Sequence, residues 1–307
     1  MMRRSIIIDT DPGIDDVVAI SAALFAEELD VRLITTVAGN VGIDRTTQNA
    51  LDLVNFFNKY VPVAAGATEP MVNDPHTAKA VHGESGVGTF EFPEKVGADR
   101  LVKEHAIVAM RNEIMDAEEP MTLVAIGPLT NIALLFKVFP ETKPFVREIV
   151  LMGGAVEGGN ATPVAEFNIY ADPHAAKVVF ESGLPVVMCG LDATRKTSVP
   201  WDDIVWLKEN TGKAGHMVYT MMEQYIHAYS KKGIAIHDLC TILYLTSPNI
   251  FSAEQAEVRV VTEGEAAGCT VTYFQEAGPV SVCVDADKDA FRSAFASIFQ
   301  NIDMLEG

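Results

Sequence analysis

The chain places four carboxylates directly after its first apolar run. Residues 5–8 form a short apolar stretch that predicts a buried parallel strand, and Asp9, Asp11, Asp15 and Asp16 follow within eight residues. Open α/β sheets bind ligands at the carboxyl ends of their strands, so this run is predicted at a ligand-binding edge. Like charges this close repel one another, and a hard divalent cation with oxygen ligands would offset the repulsion.

An acidic turn before a helix would explain part of this pattern without any ligand. Aspartate favours N-caps and first helical turns, which suits Asp15 or Asp16. Asp9 and Asp11 are poorly explained in this way, since they stand before Pro12 and Gly13. We therefore favour a functional interpretation of the run.

Strand-like and helical patterns alternate along most of the chain. The alternation predicts an α/β fold with a doubly wound, mostly parallel central sheet, helices on both faces and a small antiparallel extension. No linker-like segment divides the sequence, so residues 1–307 are predicted to form one domain. The predicted strands cover residues 5–9, 31–38, 61–65, 121–126, 147–152, 185–189, 256–261, 269–274 and 279–284. Residues 66–100 are predicted to form a long excursion, of a length that is usually functional or mobile.

Composition disfavours several classes of partner. The net charge of −19, from 42 acidic and 23 basic residues, repels the phosphate backbone of nucleic acids. No uncharged segment is long enough to span a bilayer, and the first apolar run is too short for a signal peptide. The four cysteines show no CxxC spacing, which predicts buried free thiols and a reducing, cytoplasmic compartment.

Several polar residues follow other predicted strands. Asn40, Asn160, Glu166 and Asn168 are neutral or acidic hydrogen-bonding groups without a nearby lysine or arginine. Such a set suits the vicinal hydroxyls of a sugar and suits phosphate badly, because phosphate sites use cations or backbone N–H groups. The chain also lacks a Walker A sequence and a G-x-S-x-G elbow, which disfavours a P-loop enzyme and a Ser-His-Asp hydrolase.

Two histidines remain ambiguous in the sequence. His237 and Asp238 stand at the start of a helical run, where Asp238 could be a simple N-cap. The alternative is a further metal-ligating carboxylate beside an imidazole that acts as a general acid. His82 lies in the long excursion, where a lone histidine usually has no special role.

Taken in order, these motifs resemble the inosine–uridine nucleoside hydrolase family over essentially the whole chain. Within that family the sequence is most similar to the bacterial non-specific ribonucleoside hydrolases. The resemblance is carried by residues 9–16, 37–40, 81–83, 125–131, 152–154, 165–168, 172–173 and 237–238, and the finer similarity by residues 24–26, 82–86 and 237–240.

The resemblance implies calcium-dependent hydrolysis of the N-glycosidic bond of purine and pyrimidine ribonucleosides, in nucleoside salvage. Asp11 would act as general base and His237 as the group that faces and protonates the leaving base. The implied Ca²⁺ ligands are Asp11, Asp16, the backbone carbonyl of Ile126, and Asp238. The implied substrate-binding residues are Asp15, Asn40, His82, Asn160, Glu166, Phe167, Asn168, Tyr225, Tyr229 and Asp238. For Tyr225 and Tyr229, ordinary helix packing is an equally good explanation. The family also suggests a homodimer or a homotetramer.

Two other functions remain open on the sequence. A phosphatase of the haloacid dehalogenase type would use a similar acidic pair, Asp9 and Asp11, after its first strand, but it also needs a lysine partner. A calcium-stabilised nucleoside-binding protein would need the same sugar-binding groups, but binding alone needs neither a base such as Asp11 nor an acid such as His237.

Overall fold

The strands assemble into one mixed sheet. The computed structural model describes residues 3–228 and 233–306, and within them the sheet has nine strands. In chain order they are β1 (Arg4–Thr10), β2 (Leu29–Thr36), β3 (Val63–Ala65), β4 (Met121–Ala125), β5 (Val146–Met152), β6 (Val186–Cys189), β7 (Phe251–Val260), β8 (Thr270–Phe274) and β9 (Val280–Ala286). Their order across the sheet is β3-β2-β1-β4-β5-β6-β9-β7-β8.

Helices connect the strands and cover both faces of the sheet. In chain order they are α1 (Ile14–Phe25), α2 (Ile43–Phe56), α3 (Lys79–His82), α4 (Ala106–Asp116), α5 (Thr130–Val138), α6 (Phe167–Ala171), α7 (Pro173–Phe180), α8 (Leu191–Thr194), α9 (Trp201–Asn210), α10 (Lys213–Ala228), α11 (Leu239–Thr246) and α12 (Lys288–Glu306). Among the described residues, no helix is both long enough and apolar enough to cross a membrane.

The sheet is doubly wound, and its strand order reverses next to β1. Strands β3, β2, β1, β4, β5, β6 and β9 pair in parallel, whereas β7 pairs antiparallel with both β9 and β8. The chain proceeds from β1 to β2 and β3 on one side and from β4 to β5 and β6 on the other. The carboxyl ends of β1 and β4 therefore lie at the topological switch point, where α/β sheets open a ligand crevice. The predicted fold class is confirmed.

The sheet separates two apolar layers. Ile6 and Ile8 of β1 pack into the layer that contains α1, α10 and α12, while Ile7 packs into the layer that contains α4, α5 and α7. All three isoleucines are fully buried. Successive side chains of a strand point to opposite faces, so a continuous apolar run serves a strand that is covered on both sides. This is why residues 5–8 predicted β1 correctly.

The largest boundary difference is in β7. The pattern predicted a strand from residue 256, whereas β7 begins at Phe251. Its first half pairs with β9 but is largely exposed, so it carries no run of buried apolar residues. Hydrophobic periodicity cannot detect a strand segment that buries little. In the predicted excursion the structure contains α3 and a single 3₁₀ turn at Ala98–Arg100.

Asn131, in the first turn of α5, joins three segments at the carboxyl edge of the sheet. Its amide nitrogen donates to Asp9 Oδ1 (2.8 Å) and to the carbonyl of Thr36 (3.0 Å). Its side-chain oxygen accepts from the backbone N–H of Ala67 (2.9 Å). Asn131 is fully buried, so no water is available there as an alternative hydrogen-bond partner for Asp9, Thr36 and Ala67.

We expect Asn131→Ala to lower the free energy of unfolding by about 2–4 kcal/mol, since it leaves buried polar groups without partners. Urea unfolding measures the effect. Asn112→Ala, at an exposed position of α4, is the matched control and should change stability by less than about 0.5 kcal/mol. Equal effects of the two substitutions would contradict the bridging role.

Candidate active site

A cavity of about 530 Å³ opens at the switch point. Segments that follow β1, β2, β4, β5 and β6 contribute to it, as does the segment before α11. The lining residues that the sequence predicted are Asp15, Asn40, His82, Ile126, Asn160, Glu166, Phe167, Asn168, Tyr225, His237 and Asp238. Tyr229 lies outside the described residues. The structure thus brings together groups that are separated by more than 220 positions in the sequence.

Asp16 is anchored by the turn that precedes α1. Its Oδ1 accepts from the Thr10 hydroxyl (2.6 Å), and its Oδ2 accepts from the backbone N–H of Gly13 (2.9 Å). The Asn40 amide also donates to Oδ2 (3.1 Å). Asp16 therefore performs the first-turn role that its position in the sequence suggested, and it does so inside the acidic cluster. Neighbouring N–H and O–H donors partly compensate the loss of hydration of its charge.

Asp11 is fully buried and does not line the cavity. Its Oδ2 accepts from the backbone N–H of Asn40 (2.6 Å), while its Oδ1 has no hydrogen-bond partner. Gly39 and Gly127 enclose this carboxylate, and a Cβ at Gly127 would lie 2.7 Å from Asp11 Oδ1. A Cβ at Gly39 would collide with Oδ2. Only glycine allows the backbone to approach so closely.

Three further carboxylates meet beside Asp11. Oxygen atoms of Asp15, Asp16 and Asp238 all lie within 4.8 Å of one another, and Asp11 is outside that group. Burial raises the pKa of Asp238 well above its usual range, and repulsion from Asp15, Asp16 and Asp11 raises it further. Burial and the charge of Asp16 raise the pKa of Asp11 in the same way. Clustered oxygens with one buried oxygen unpartnered fit a hard divalent cation.

The Asp238 side chain does not cap α11. It stands at the N-cap position but makes no capping hydrogen bond there. Its carboxylate belongs instead to the acidic cluster, which favours the ligand interpretation over the simple cap. The carbonyl of Ile126, the other group expected to face a metal, accepts from the Asn168 side-chain amide (3.0 Å).

Glu166 and Asn168 are fixed by the start of α6. Glu166 accepts from the backbone N–H groups of Gly154 (3.0 Å), Asn168 (3.0 Å) and Ile169 (3.2 Å). Burial raises the pKa of Glu166 to about 7 although these bonds lower it. Asn160 holds the same segment from the other side, because its Oδ1 accepts from the backbone N–H of Phe167 (2.8 Å). The cavity wall is thus a row of acceptors and amides that suits sugar hydroxyls.

His82 is buried against the amino end of α1. The backbone N–H of Ile14 donates to His82 Nδ1 (3.0 Å), so Nδ1 must be the unprotonated nitrogen. Burial lowers the pKa of His82 to about 4, which keeps the ring neutral at physiological pH. The proton of the neutral ring is therefore on Nε2. The Tyr225 hydroxyl lies 3.4 Å from both His82 Nδ1 and Asp15 Oδ1.

His237 also lines the cavity. Its Nδ1 lies 2.7 Å from the hydroxyl of Thr194 at the end of α8. Burial lowers the pKa of His237, Asp15 raises it, and Arg195 lowers it further. The sequence offered no sign of Thr194 or Arg195, because neither belongs to a recognisable motif.

The expectation that no basic residue lies near the polar wall is wrong at one position. The exposed Arg195 lines the cavity and donates from Nη2 to the carbonyl of Gly159 (2.6 Å), next to Asn160. Arg195 is far from Asn160 in the sequence, so the sequence pattern did not predict this contact. The Arg195 guanidinium adds positive charge at the cavity, but the acidic residues of the wall remain the main polar groups there.

Asp9 is separate from the cavity. It is buried, its Oδ1 accepts from the Thr35 hydroxyl (2.6 Å) and from Asn131, and its Oδ2 has no partner. A phosphatase of the haloacid dehalogenase type would need an accessible nucleophile in the acidic pair. The burial of Asp9 therefore disfavours that alternative.

Comparison with known families decides the class of protein. The model of the family described as "Inosine-uridine preferring nucleoside hydrolase" matches residues 6–293. The chain belongs to this family. As a nucleoside hydrolase it is an enzyme, and the acidic cavity is its candidate active site.

Individual relatives agree with this assignment. The "Non-specific ribonucleoside hydrolase RihC" of Escherichia coli strain HS is 45% identical over 302 residues, which cover 97% of this chain and 98% of the relative. A purine-preferring ribonucleoside hydrolase from Gardnerella vaginalis has a TM-score of 0.91 at 29% identity, covering 98% of this chain and 100% of its own. A plant nucleoside hydrolase has a TM-score of 0.90 at 30% identity, covering 98% and 99% of the two chains. The resemblance predicted from the motifs is confirmed.

Asp9 should contribute stability to the metal-free protein that is lost as the pH rises. Burial raises the pKa of Asp9 from 3.8 to about 7, so the folded state binds this proton more tightly than the unfolded chain does. The resulting stabilisation is complete below about pH 4 and is lost progressively as the pH approaches 7. We expect Asp9→Asn to reduce the difference in unfolding free energy between pH 5 and pH 8, measured by urea unfolding with a chelator present.

The control for this experiment is Asp116→Asn, at the exposed end of α4. It should leave the pH dependence of wild type unchanged. If Asp9→Asn loses as much stability between the two pH values as wild type does, Asp9 does not carry the buried proton.

Proposed function

We propose that this enzyme uses calcium to hydrolyse the N-glycosidic bond of purine and pyrimidine ribonucleosides, releasing ribose and free base. The observation that carries the proposal is the buried, unpartnered Oδ1 of Asp11 beside the group Asp15, Asp16 and Asp238. Such an arrangement suits a site for a divalent cation next to a sugar pocket. The family and the 45% identity to a relative named non-specific support the substrate class and the breadth in base.

The residues that would hold calcium are Asp11, Asp16, the carbonyl of Ile126, and Asp238. Calcium, when bound, supplies positive charge that offsets the carboxylate repulsion and polarises water and sugar hydroxyls nearby. Asp15 is close enough to Asp16 and Asp238 to sense the same charge.

The sugar would lie against the row of acceptors and amides. Asp15, Asn40, Glu166 and Asn168 would bind its hydroxyls, and Asn160 would lie near the 5′ end. As the bond between C1′ and the base nitrogen breaks, its electron pair leaves with the base and positive charge develops on the ribose. Buried carboxylates aimed at that charge stabilise the transition state, because they need no reorganisation in a pocket that excludes water.

Two protons must move for the reaction to balance. Water attacks C1′ with its oxygen, and Asp11 accepts the proton that water gives up. The departing base takes up a proton, which His237 at the cavity wall would supply. His82, Phe167, Tyr225 and Tyr229 would contact the base. We further propose a role in nucleoside salvage in the cytoplasm, by a homodimer or homotetramer of single-domain chains.

The first test is ribose release from inosine and from uridine, with added Ca²⁺ and after treatment with a chelator. We expect release from both substrates with Ca²⁺ and loss of release with the chelator. Asp11→Asn should lower turnover by at least about 100-fold while the fold is retained, because it removes the general base. Asp116→Asn is the matched control.

Other outcomes would change the proposal. Release from only one nucleoside would contradict the broad base specificity. If folded, Ca²⁺-loaded protein binds inosine without releasing ribose, the nucleoside-binding alternative replaces the catalytic one. Unchanged turnover in Asp11→Asn would remove Asp11 from the reaction.

The sugar hydroxyls provide an independent test. The 2′-hydroxyl is expected to meet the cation and the acidic wall, so its removal leaves buried polar groups without a partner. Inosine should therefore exceed 2′-deoxyinosine in kcat/KM by about 10³-fold or more. Similar values for the two substrates would contradict the proposed sugar pocket.

A further inference from the structure

We propose that Thr194 is a positioning residue that fixes the imidazole of His237 for leaving-group protonation. This inference rests on the proposed function. The observation behind it is the distance of 2.7 Å between Thr194 Oγ1 and His237 Nδ1, across 43 positions of sequence. It joins the segment after β6 to the segment before α11.

Thr194 is held firmly enough to position another side chain. It is fully buried, and its backbone N–H donates to the carbonyl of Gly190 (3.0 Å). The Thr197 hydroxyl donates to the carbonyl of Thr194 (2.8 Å). With both backbone groups bonded and no solvent around it, the Thr194 hydroxyl has little freedom to move.

The His237 backbone is held at the start of α11, where its carbonyl accepts from the backbone N–H of Cys240 (3.2 Å). The preceding segment pairs with the rest of the protein through a two-way bridge between Ile234 and Val199 (2.8 Å in each direction). The ring itself is oriented by the contact of Nδ1 with Thr194. That contact occupies Nδ1 and so assigns Nε2 as the nitrogen for a substrate in the cavity that His237 lines.

A hydroxyl is well suited to this position. It can accept a hydrogen bond from Nδ1–H, which keeps its hydrogen while Nε2 of the protonated ring gives up a proton, so it can hold the ring before and after proton transfer. A carboxylate could only accept, and it would add another negative charge beside Asp15 and Asp238. Threonine thus orients the ring without adding to the repulsion in the cluster.

The test separates positioning from general structural damage by its choice of substrate. Inosine needs a proton on its departing base, whereas p-nitrophenyl β-D-ribofuranoside releases a stable anion that does not. We expect Thr194→Val, which removes the hydroxyl and keeps the shape, to lower kcat on inosine by about 10- to 100-fold. Its kcat on the p-nitrophenyl substrate should change less than about threefold, and KM for inosine should change little.

Two variants act as controls. Thr194→Ser keeps the hydroxyl and should retain kcat on inosine within about threefold of wild type. Thr142→Val removes a buried hydroxyl that donates to the carbonyl of Phe139 (2.8 Å) and does not line the cavity, and it should also retain activity. If Thr194→Val does not fold, as judged by circular dichroism, Thr194→Ala removes the same hydroxyl and replaces it in the comparison.

The outcomes distinguish this inference from the proposed function. Ribose release by wild type from neither substrate would overturn both. If wild type is active and the hydroxyl-free variant loses equal activity on both substrates, or none on inosine, the positioning role is overturned while the hydrolase stands. A loss confined to inosine and restored in Thr194→Ser supports the role.

Discussion

The repulsion between buried carboxylates at the end of β1 is the constraint on which the site depends. Asp11, Asp15, Asp16 and Asp238 are all buried, and burial raises the pKa of each. The charges of neighbouring carboxylates raise the pKa values of Asp11, Asp16 and Asp238 further. Such a group is costly unless donors and a cation compensate it. The neighbouring structure supplies donors from Thr10, Gly13 and Asn40, and it leaves one Asp11 oxygen without a partner. The cation completes the compensation in the proposed mechanism.

The topology makes this concentration of charge possible. Because the strand order reverses between β1 and β4, the loops that follow these strands diverge and leave a crevice between them. Glycines at positions 39 and 127 let two backbone segments close around Asp11. The apolar layers on both faces of the sheet hold these segments in place. Their burial offsets the free-energy cost of the acidic cluster.

Much of the fold follows from local pattern. Fully buried strands such as β1 and β4 are continuous apolar runs, and amphipathic helices such as α2 show their period directly. The exposed first half of β7 shows no such pattern, because a strand that pairs through its backbone but buries few side chains has no alternation of apolar and polar residues. Motif residues such as Asp16 and Asn40 were predicted at the sheet edge for a similar local reason, since each follows the end of a strand by a few residues.

By itself, the sequence determined the fold class, the family and the kinds of group that meet at the sheet edge, because apolar periodicity and short motifs record local backbone geometry. Only the tertiary structure decided how those groups are used. In the structure the Asp238 side chain joins the acidic cluster instead of capping α11, and His82 is buried as a neutral ring. Arg195 lines the cavity, and Thr194 contacts His237. These contacts depend on packing between distant segments, and no local pattern in the chain encodes such distances.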